Sequence, residues 1–349
     1  MAPVRRDTVP RGANPGGRRA TIGDVARIAG VSRATASRAL NDSPAVTPAT
    51  KERVRAAVQE TGFVMNARGR ALAMGRSESI AILITEPLDE LFADPTYGVV
   101  LRGITEGLAA SRTMPMLVQA WTEVEHQRAL RQFERRVVDA VISISPYVGG
   151  DMLEALATGA LPVVLCGQLP GDPYSGVFAS VYSDDVAGAT LAAERMLRRG
   201  RRRIAIVNGP IGNPAAVERL NGYARTLDGA FDESLTVSTG WDASSGYDAM
   251  SRLLALAPDI DGVLAASDRI AVGALGALQS AGRSVPDDVS IIGFDDHAVA
   301  ATTTPPLTTI RQPLHRQGML AAGMALGMVD GDSPSRVVLD MELVERESV

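Results

Sequence analysis

From Ser79 onward, short apolar runs alternate with longer amphipathic stretches, and this alternation limits the possible folds more than any other feature of the chain. The candidate strands are Ile80–Ile84, Met116–Ala120, Ala140–Ile144, Pro162–Cys166, Ile204–Val207, Leu235–Ser238, Val263–Ala266 and Ser290–Phe294, with helical stretches between them. Continuous apolar strands separated by helices imply parallel sheets covered on both faces. About nine such units are too many for one compact sheet, and they divide near Tyr182. The expected fold is therefore two doubly wound parallel-sheet lobes. Small ligands bind such folds in the cleft at the carboxyl ends of the strands.

The segment before the body, 21–65, follows a different pattern. Ile22, Val25, Ala26 and Ala29 keep the i, i+3, i+4, i+7 spacing of a short helix with one apolar stripe. Thr21 suits its N-cap, with Asp24 near the positive end of the helix dipole. Gly30 ends it, since glycine tolerates the left-handed conformation of a tight turn. Ser32 caps a second helix, Arg33 to Leu40, with Ala36 and Leu40 able to face inward and Arg33, Ala34, Ser37 and Arg38 opposite. A third helix starts at Thr47, with Pro48 at its first position, and stops at Gly62. Two short helices across a glycine turn, the second with a polar, cationic outer face, make a helix-turn-helix. The same pattern taken alone also fits a small three-helix bundle without a ligand.

Charge separates these readings. The net charge of -5 hides a basic head on an acidic body: Met1 to Arg76 holds 14 Lys and Arg against 5 Asp and Glu, and the remainder holds 21 against 35. Residues 1–20 read as a disordered basic tail; without them the head still nets +5. Such asymmetry points to a polyanion partner for the head. No apolar run approaches the roughly 20 residues of a membrane helix. The N-terminus is rich in Arg, Pro and Gly and has no apolar core, so it is not a secretory signal and a cytoplasmic protein is expected. The single cysteine, Cys166, is expected to be a core residue in a reducing compartment. With one Cys and three His, neither a metal nor a cofactor is expected.

The run Thr21-Ile22-Gly23-Asp24-Val25-Ala26-Arg27-Ile28-Ala29-Gly30-Val31-Ser32, followed by Arg33-Ala34-Thr35-Ala36-Ser37-Arg38-Ala39-Leu40-Asn41, closely resembles the DNA-binding signature of the lactose/galactose repressor (LacI/GalR) family. The resemblance continues through Val46-Thr47 and Gly62-Phe63 to Asn66. It implies that Arg33, Ala34 and Arg38 face bases in the major groove, where an arginine fork suits guanine O6 and N7. It also implies phosphate contacts from Thr21, Ser32, Thr35, Ser37, Asn41 and Thr47. Arg27 reads as a solvated face residue. Within the family's hinge segment, here 66–78, the matching residues are Asn66, Arg68, Arg70 and Leu72. The family's hinge becomes helical on the operator, where its leucine wedges into the minor groove. Without the resemblance this stretch reads as a flexible linker. Gly69 departs from the helix-former usual there, which costs about 1 kcal/mol against alanine in a helix.

The body, 79–349, resembles the family's sensor of the periplasmic-binding-protein type. Val181-Tyr182-Ser183-Asp184-Asp185, Arg219-Leu220-Asn221-Gly222-Tyr223, Ala266-Ser267-Asp268, Gly293-Phe294-Asp295-Asp296 and Pro305-Pro306-Leu307-Thr308-Thr309-Ile310 stand where the family has them. Positions matching the effector pocket are Tyr97, Arg219, Trp241, Ser267 and Asp295. Arg and Asp can each take two adjacent hydroxyls, and an aromatic ring covers the apolar face of a pyranose. A sugar is therefore the expected effector, with a nucleobase as the alternative. Ser267 replaces an amide common in the family. Asp295 as a helix cap and Trp241 as core remain open alternatives.

The chain is thus expected to be a DNA-binding transcriptional regulator, a repressor, whose hold on a pseudo-palindromic operator responds to a small molecule. No G-x-G-x-x-G after a strand, no phosphate-loop motif and no G-x-S-x-G is present, and His126, His297 and His315 have no evident nucleophile, so no catalytic residues are expected. A sugar-binding protein would match the body and leave the helix-turn-helix unexplained. The chain ends at Val349 without a further apolar heptad helix, so a homodimer is expected.

Overall fold

The computed structural model describes residues 20–64, 76–146 and 151–349, and divides into a unit up to Ser77 and a unit from Glu78. In the first unit, α1 (Ile22–Ile28), α2 (Arg33–Leu40) and α3 (Pro48–Thr61) enclose a small core of Val25, Ala29, Ala39, Val46, Val54 and Ala57. Local chemistry sets the helix ends. The Asp24 carboxylate accepts from the Thr21 amide at 2.9 Å and from its hydroxyl at 2.7 Å. The Ser32 hydroxyl accepts from the Thr35 amide at 3.0 Å, and the Thr47 hydroxyl from the Thr50 amide at 3.3 Å. Gly30 and Gly62 adopt φ of 64° and 63°, a conformation that costs a side-chain-bearing residue strain. The inward positions of α2 are Ala36 and Ala39, with Leu40 only half-buried. Helical spacing allows i+3 as readily as i+4, and alanine lets α2 approach its neighbours closely.

The second unit contains two six-stranded sheets. The first takes β1 (Ser79–Ile84), β2 (Met114–Gln119), β3 (Ala140–Ile144), β4 (Val163–Cys166), β5 (Ala179–Ser183) and β11 (Arg336–Leu339), in the order β11-β5-β4-β3-β1-β2. The second takes β6 (Ile204–Asn208), β7 (Thr236–Ser238), β8 (Gly262–Ala265), β9 (Ser290–Asp295), β10 (Thr308–Arg311) and β12 (Glu342–Val344), in the order β12-β10-β9-β8-β6-β7. Every pairing is parallel except β10 with β12.

Period-two alternation explains the apolar strands: Ile80, Ile82 and Ile84 join one core while Ala81 and Leu83 join another on the opposite face. The second sheet repeats this with Ala205 and Val207 against Ile204 and Ile206. The edge strand β2 departs from the two-sided expectation, since its first four residues are exposed.

The connecting helices are α4 (Leu88–Ala93), α5 (Pro95–Leu108), α6 (Glu123–Glu134), α7 (Asp151–Thr158), α8 (Asp185–Arg198), α9 (Pro214–Leu227), α10 (Ala243–Leu256), α11 (Asp268–Ser280) and α12 (Leu314–Asp330). The division near Tyr182 falls inside β5; the chain crosses to the second lobe immediately after it, at α8. It returns through α12, whose Ala321, Ala322 and Ala325 pack in the first lobe, and crosses once more between β11 and β12. Among the described residues, no helix is long and apolar enough to cross a membrane.

Candidate functional site

On the head, Arg33, Ala34 and Arg38 are exposed together on the outer face of α2. A Cβ on Gly23 would stand 3.0 Å from the Arg33 guanidinium, so that side chain lies across the start of α1. Around these residues, Ser32 and Thr47 are exposed cap residues and Thr21, Thr35 and Ser37 are half-buried. Asn41 closes α2, with its side-chain oxygen buried and without a hydrogen-bond partner among the described residues. Asn66, Arg68 and Leu72 lie outside the described residues.

In the body, a cleft of about 640 Å³ opens between the lobes at the carboxyl ends of both sheets. Tyr97, Arg219, Trp241 and Asp295 line it. Ser267 does not: it caps α11, its hydroxyl accepting from the Ile270 amide at 3.1 Å, and it is 3% exposed. A serine at this position is short enough for its hydroxyl to bond the start of its own helix. Trp241 packs on the second lobe's core and also lines the cleft. Its ring lies over Gly209, where a Cβ would come within 2.3 Å of it.

Arg219, from α9, is buried and shared by two carboxylates. Its Nε donates to Asp185 at 2.7 Å, and its Nη1 lies 3.2 Å from Asp295 and donates to the Ala266 carbonyl. Its guanidinium also covers the Phe294 ring at 3.8 Å and stands 5.7 Å from that of Trp241. One cation facing two anions leaves the trio one negative charge in excess. Burial pushes Asp185 up to about 6 against the pull of Arg219. Asp295 is raised by burial too, again against Arg219. Arg219 itself sits above its ordinary value: burial lowers it, and the two carboxylates outweigh burial. Asp295 has φ of 101°, strained for a residue with a side chain, and Gln312 donates to it at 2.6 Å. Such strain persists only where surroundings over-determine the position, as at ligand clamps.

The opposite wall has unmet polar groups. Thr85 Oγ1, Ser143 Oγ and Gln168 Oε1 are buried, without hydrogen-bond partners among the described residues, and belong to residues lining the cleft just at or beyond the ends of β1, β3 and β4. Buried polar atoms left unpaired cost free energy that a polar ligand returns. Sequence reasoning missed these three and Asp185; the available signal was their place at strand ends, where this fold class binds ligands. Cys166 also lines the cleft, its thiol pushed up to about 12 by burial and therefore unreactive.

A helix-turn-helix and a two-lobed body with a polar-walled cleft define a class: DNA-binding regulators that sense a small molecule. Residues 21–66 match the model "Bacterial regulatory proteins, lacI family", and residues 193–349 match "Periplasmic binding protein-like domain". The chain is 36% identical over 336 residues to the HTH-type transcriptional regulator CelR of Thermobifida fusca, covering 95% of this chain and 98% of that protein. The chain belongs to the lacI family of bacterial regulatory proteins and is a helix-turn-helix transcriptional regulator. A solved CelR-cellobiose complex matches with a TM-score of 0.75 and 35% identity, over 95% of this chain and all (100%) of that one. The lac repressor dimer bound to operator and the anti-inducer ONPF shares the fold, with a TM-score of 0.82 and 24% identity, over 95% and 99% of the two chains.

Proposed function

We propose that this protein is a cytoplasmic homodimeric repressor, not an enzyme, whose affinity for a pseudo-palindromic operator is set by a sugar held in the interlobe cleft. The observation that carries the sensor reading is the facing of unmet groups across one cavity. The trio Asp185, Arg219 and Asp295 has excess negative charge, and three unpaired oxygens stand opposite. A polyol supplies donors to the first and hydroxyls to the second. Likeness to a regulator solved with cellobiose supports the same ligand class. Tyr97 and Trp241 flank the ligand, while Arg219 and Asp295 bond it. In the head, Arg33, Ala34 and Arg38 face base edges, and Thr21, Ser32, Thr35, Ser37, Asn41 and Thr47 contact phosphates. Asn66, Arg68 and Leu72 act in a hinge over 66–78, with Leu72 entering the minor groove at the dyad. Two-fold symmetry of the dimer matches two half-sites, and the exposed apolar Met114 and Leu117 on edge strand β2 offer surface to a second copy.

The test is selection of a binding site from random duplexes, followed by mobility shifts with and without cellobiose, ribose or hypoxanthine. Arg38→Ala should cost about 1–3 kcal/mol on the selected site and relax one base position. Equal weakening on selected and random DNA would make Arg38 a phosphate contact. A response to hypoxanthine alone would replace the sugar by a nucleobase.

A further inference from the structure

The chain has two tryptophans, and both line the cleft. They occupy matching places in the two lobes. Trp121 follows β2, the edge strand of the first sheet, and immediately precedes Thr122, the N-cap of α6. Trp241 follows β7, the edge strand of the second sheet, and immediately precedes Asp242, the N-cap of α10. Trp241 is backed by Gly209 and stands near Arg219. Trp121 is 52% exposed, while its backbone is pinned: the Glu125 carboxylate accepts from the Trp121 amide at 3.0 Å and from the Thr122 amide at 2.9 Å. A large ring held at a fixed place on a cavity wall, with half its surface open, suits stacking against a flat apolar face.

Strand order sets the length of the row. The ends of β4, β3, β1 and β2 lie side by side and bring Gln168, Ser143, Thr85 and Trp121 to the cleft in that order. Three inter-strand spacings amount to about 14 Å, longer than one pyranose ring. The unpaired oxygens occupy the first part of this row and the Trp121 indole its far end. Charge narrows the ligand further. Arg219 is the only Lys or Arg among the described lining residues, and two carboxylates already engage it; Glu86, Glu90, Asp94 and Asp242 also line the wall, with Arg269 behind it pairing Glu90 at 3.8 Å and Asp94 at 3.6 Å. A phosphate or carboxylate on the ligand would meet like charge there and no unengaged cation.

We propose that the cleft is a two-platform site for an unphosphorylated oligosaccharide of at least two pyranose units. One ring lies at Trp241 beside Arg219 and Asp295, the next stacks on Trp121, and Trp121 selects for ligand length. This rests on the sugar reading above and adds the second subsite. Both tryptophans report binding by their own fluorescence, so the full-length protein is titrated with D-glucose, D-galactose, cellobiose, maltose, lactose and glucose 6-phosphate. One disaccharide should bind at least about tenfold more tightly than either monosaccharide, the equivalent of about 1.4 kcal/mol. Trp121→Ala should remove that advantage and Trp121→Phe should restore most of it. Glucose 6-phosphate should bind more weakly than glucose. Equal affinity for mono- and disaccharides, or an advantage that survives Trp121→Ala, overturns the second subsite and leaves the sugar reading standing. Preference for the phosphorylated sugar overturns the neutral-ligand assignment. Binding of none of the six overturns the sugar reading together with this one.

Discussion

Asp268 shows how a buried carboxyl becomes a pH-dependent element of the body. Its two oxygens accept from the Thr309 hydroxyl at 2.6 Å and from the His297 amide at 2.7 Å. Burial, with Asp295 nearby, pushes its pKa from 3.8 to about 8. Between those values the native state holds a proton that the unfolded chain has released. Its contribution to stability is therefore full below about 3.8, is lost as pH rises toward about 8, and changes no further above. Asp185 contributes in the same direction, with its upper limit near 6. Urea midpoints should fall from pH 6 to pH 8.5, and Asp268→Asn, which has no proton to lose, should flatten that fall. An unchanged slope in the variant would mean that Asp268 is ionised throughout.

At the scale of elements, helix ends and helix crossings do the positioning. Ser267 follows β8 and caps α11, its hydroxyl accepting from the Ile270 amide. Ser267→Ala should destabilise the body by about 1 kcal/mol through the lost cap and leave sugar affinity within twofold. A tenfold loss of affinity in calorimetry, with the fold intact, would return this hydroxyl to the ligand. The crossing of α5 and α12 has no room at Gly103, where a Cβ would stand 2.1 Å from the His315 carbonyl oxygen. That contact locks α12, the returning helix, to the lobe that the chain had left, and so fixes the crossover beside Gln312 and the cleft.

At the scale of the molecule, control of DNA binding by a ligand is a difference in its affinity for two lobe arrangements, typically about 1–3 kcal/mol and reciprocal. In the described arrangement the lobes also touch through the Thr96 hydroxyl and His297 Nε2, 3.1 Å apart. Asp295 separates ligand contact from fold better than Arg219 does, since removing Arg219 leaves two buried carboxylates without their cation. Asp295→Asn removes the trio's excess charge. It should keep or raise the melting temperature, leave operator affinity nearly intact and abolish the response to sugar. A full response in this variant would locate the effector elsewhere.

Local chemistry alone carried much of this protein. The caps at Thr21, Ser32 and Thr47, the turn glycines and the eight apolar runs were legible because each depends on residues a few positions apart. The outer face of α2 was legible for the same reason, through helical spacing. Strands β5, β10, β11 and β12 are short or mixed in polarity and were absent from the candidate runs, since their pairing depends on partners distant in the chain. The fate of Arg219 was likewise settled in three dimensions: sequence showed a charge suited to a ligand, and only packing brought Asp185, 34 residues away, to its Nε. The unpaired oxygens of Thr85, Ser143 and Gln168 belong to the same class. A side chain's hydrogen-bonding debt is a property of its neighbours in space, and those neighbours come from separate strands.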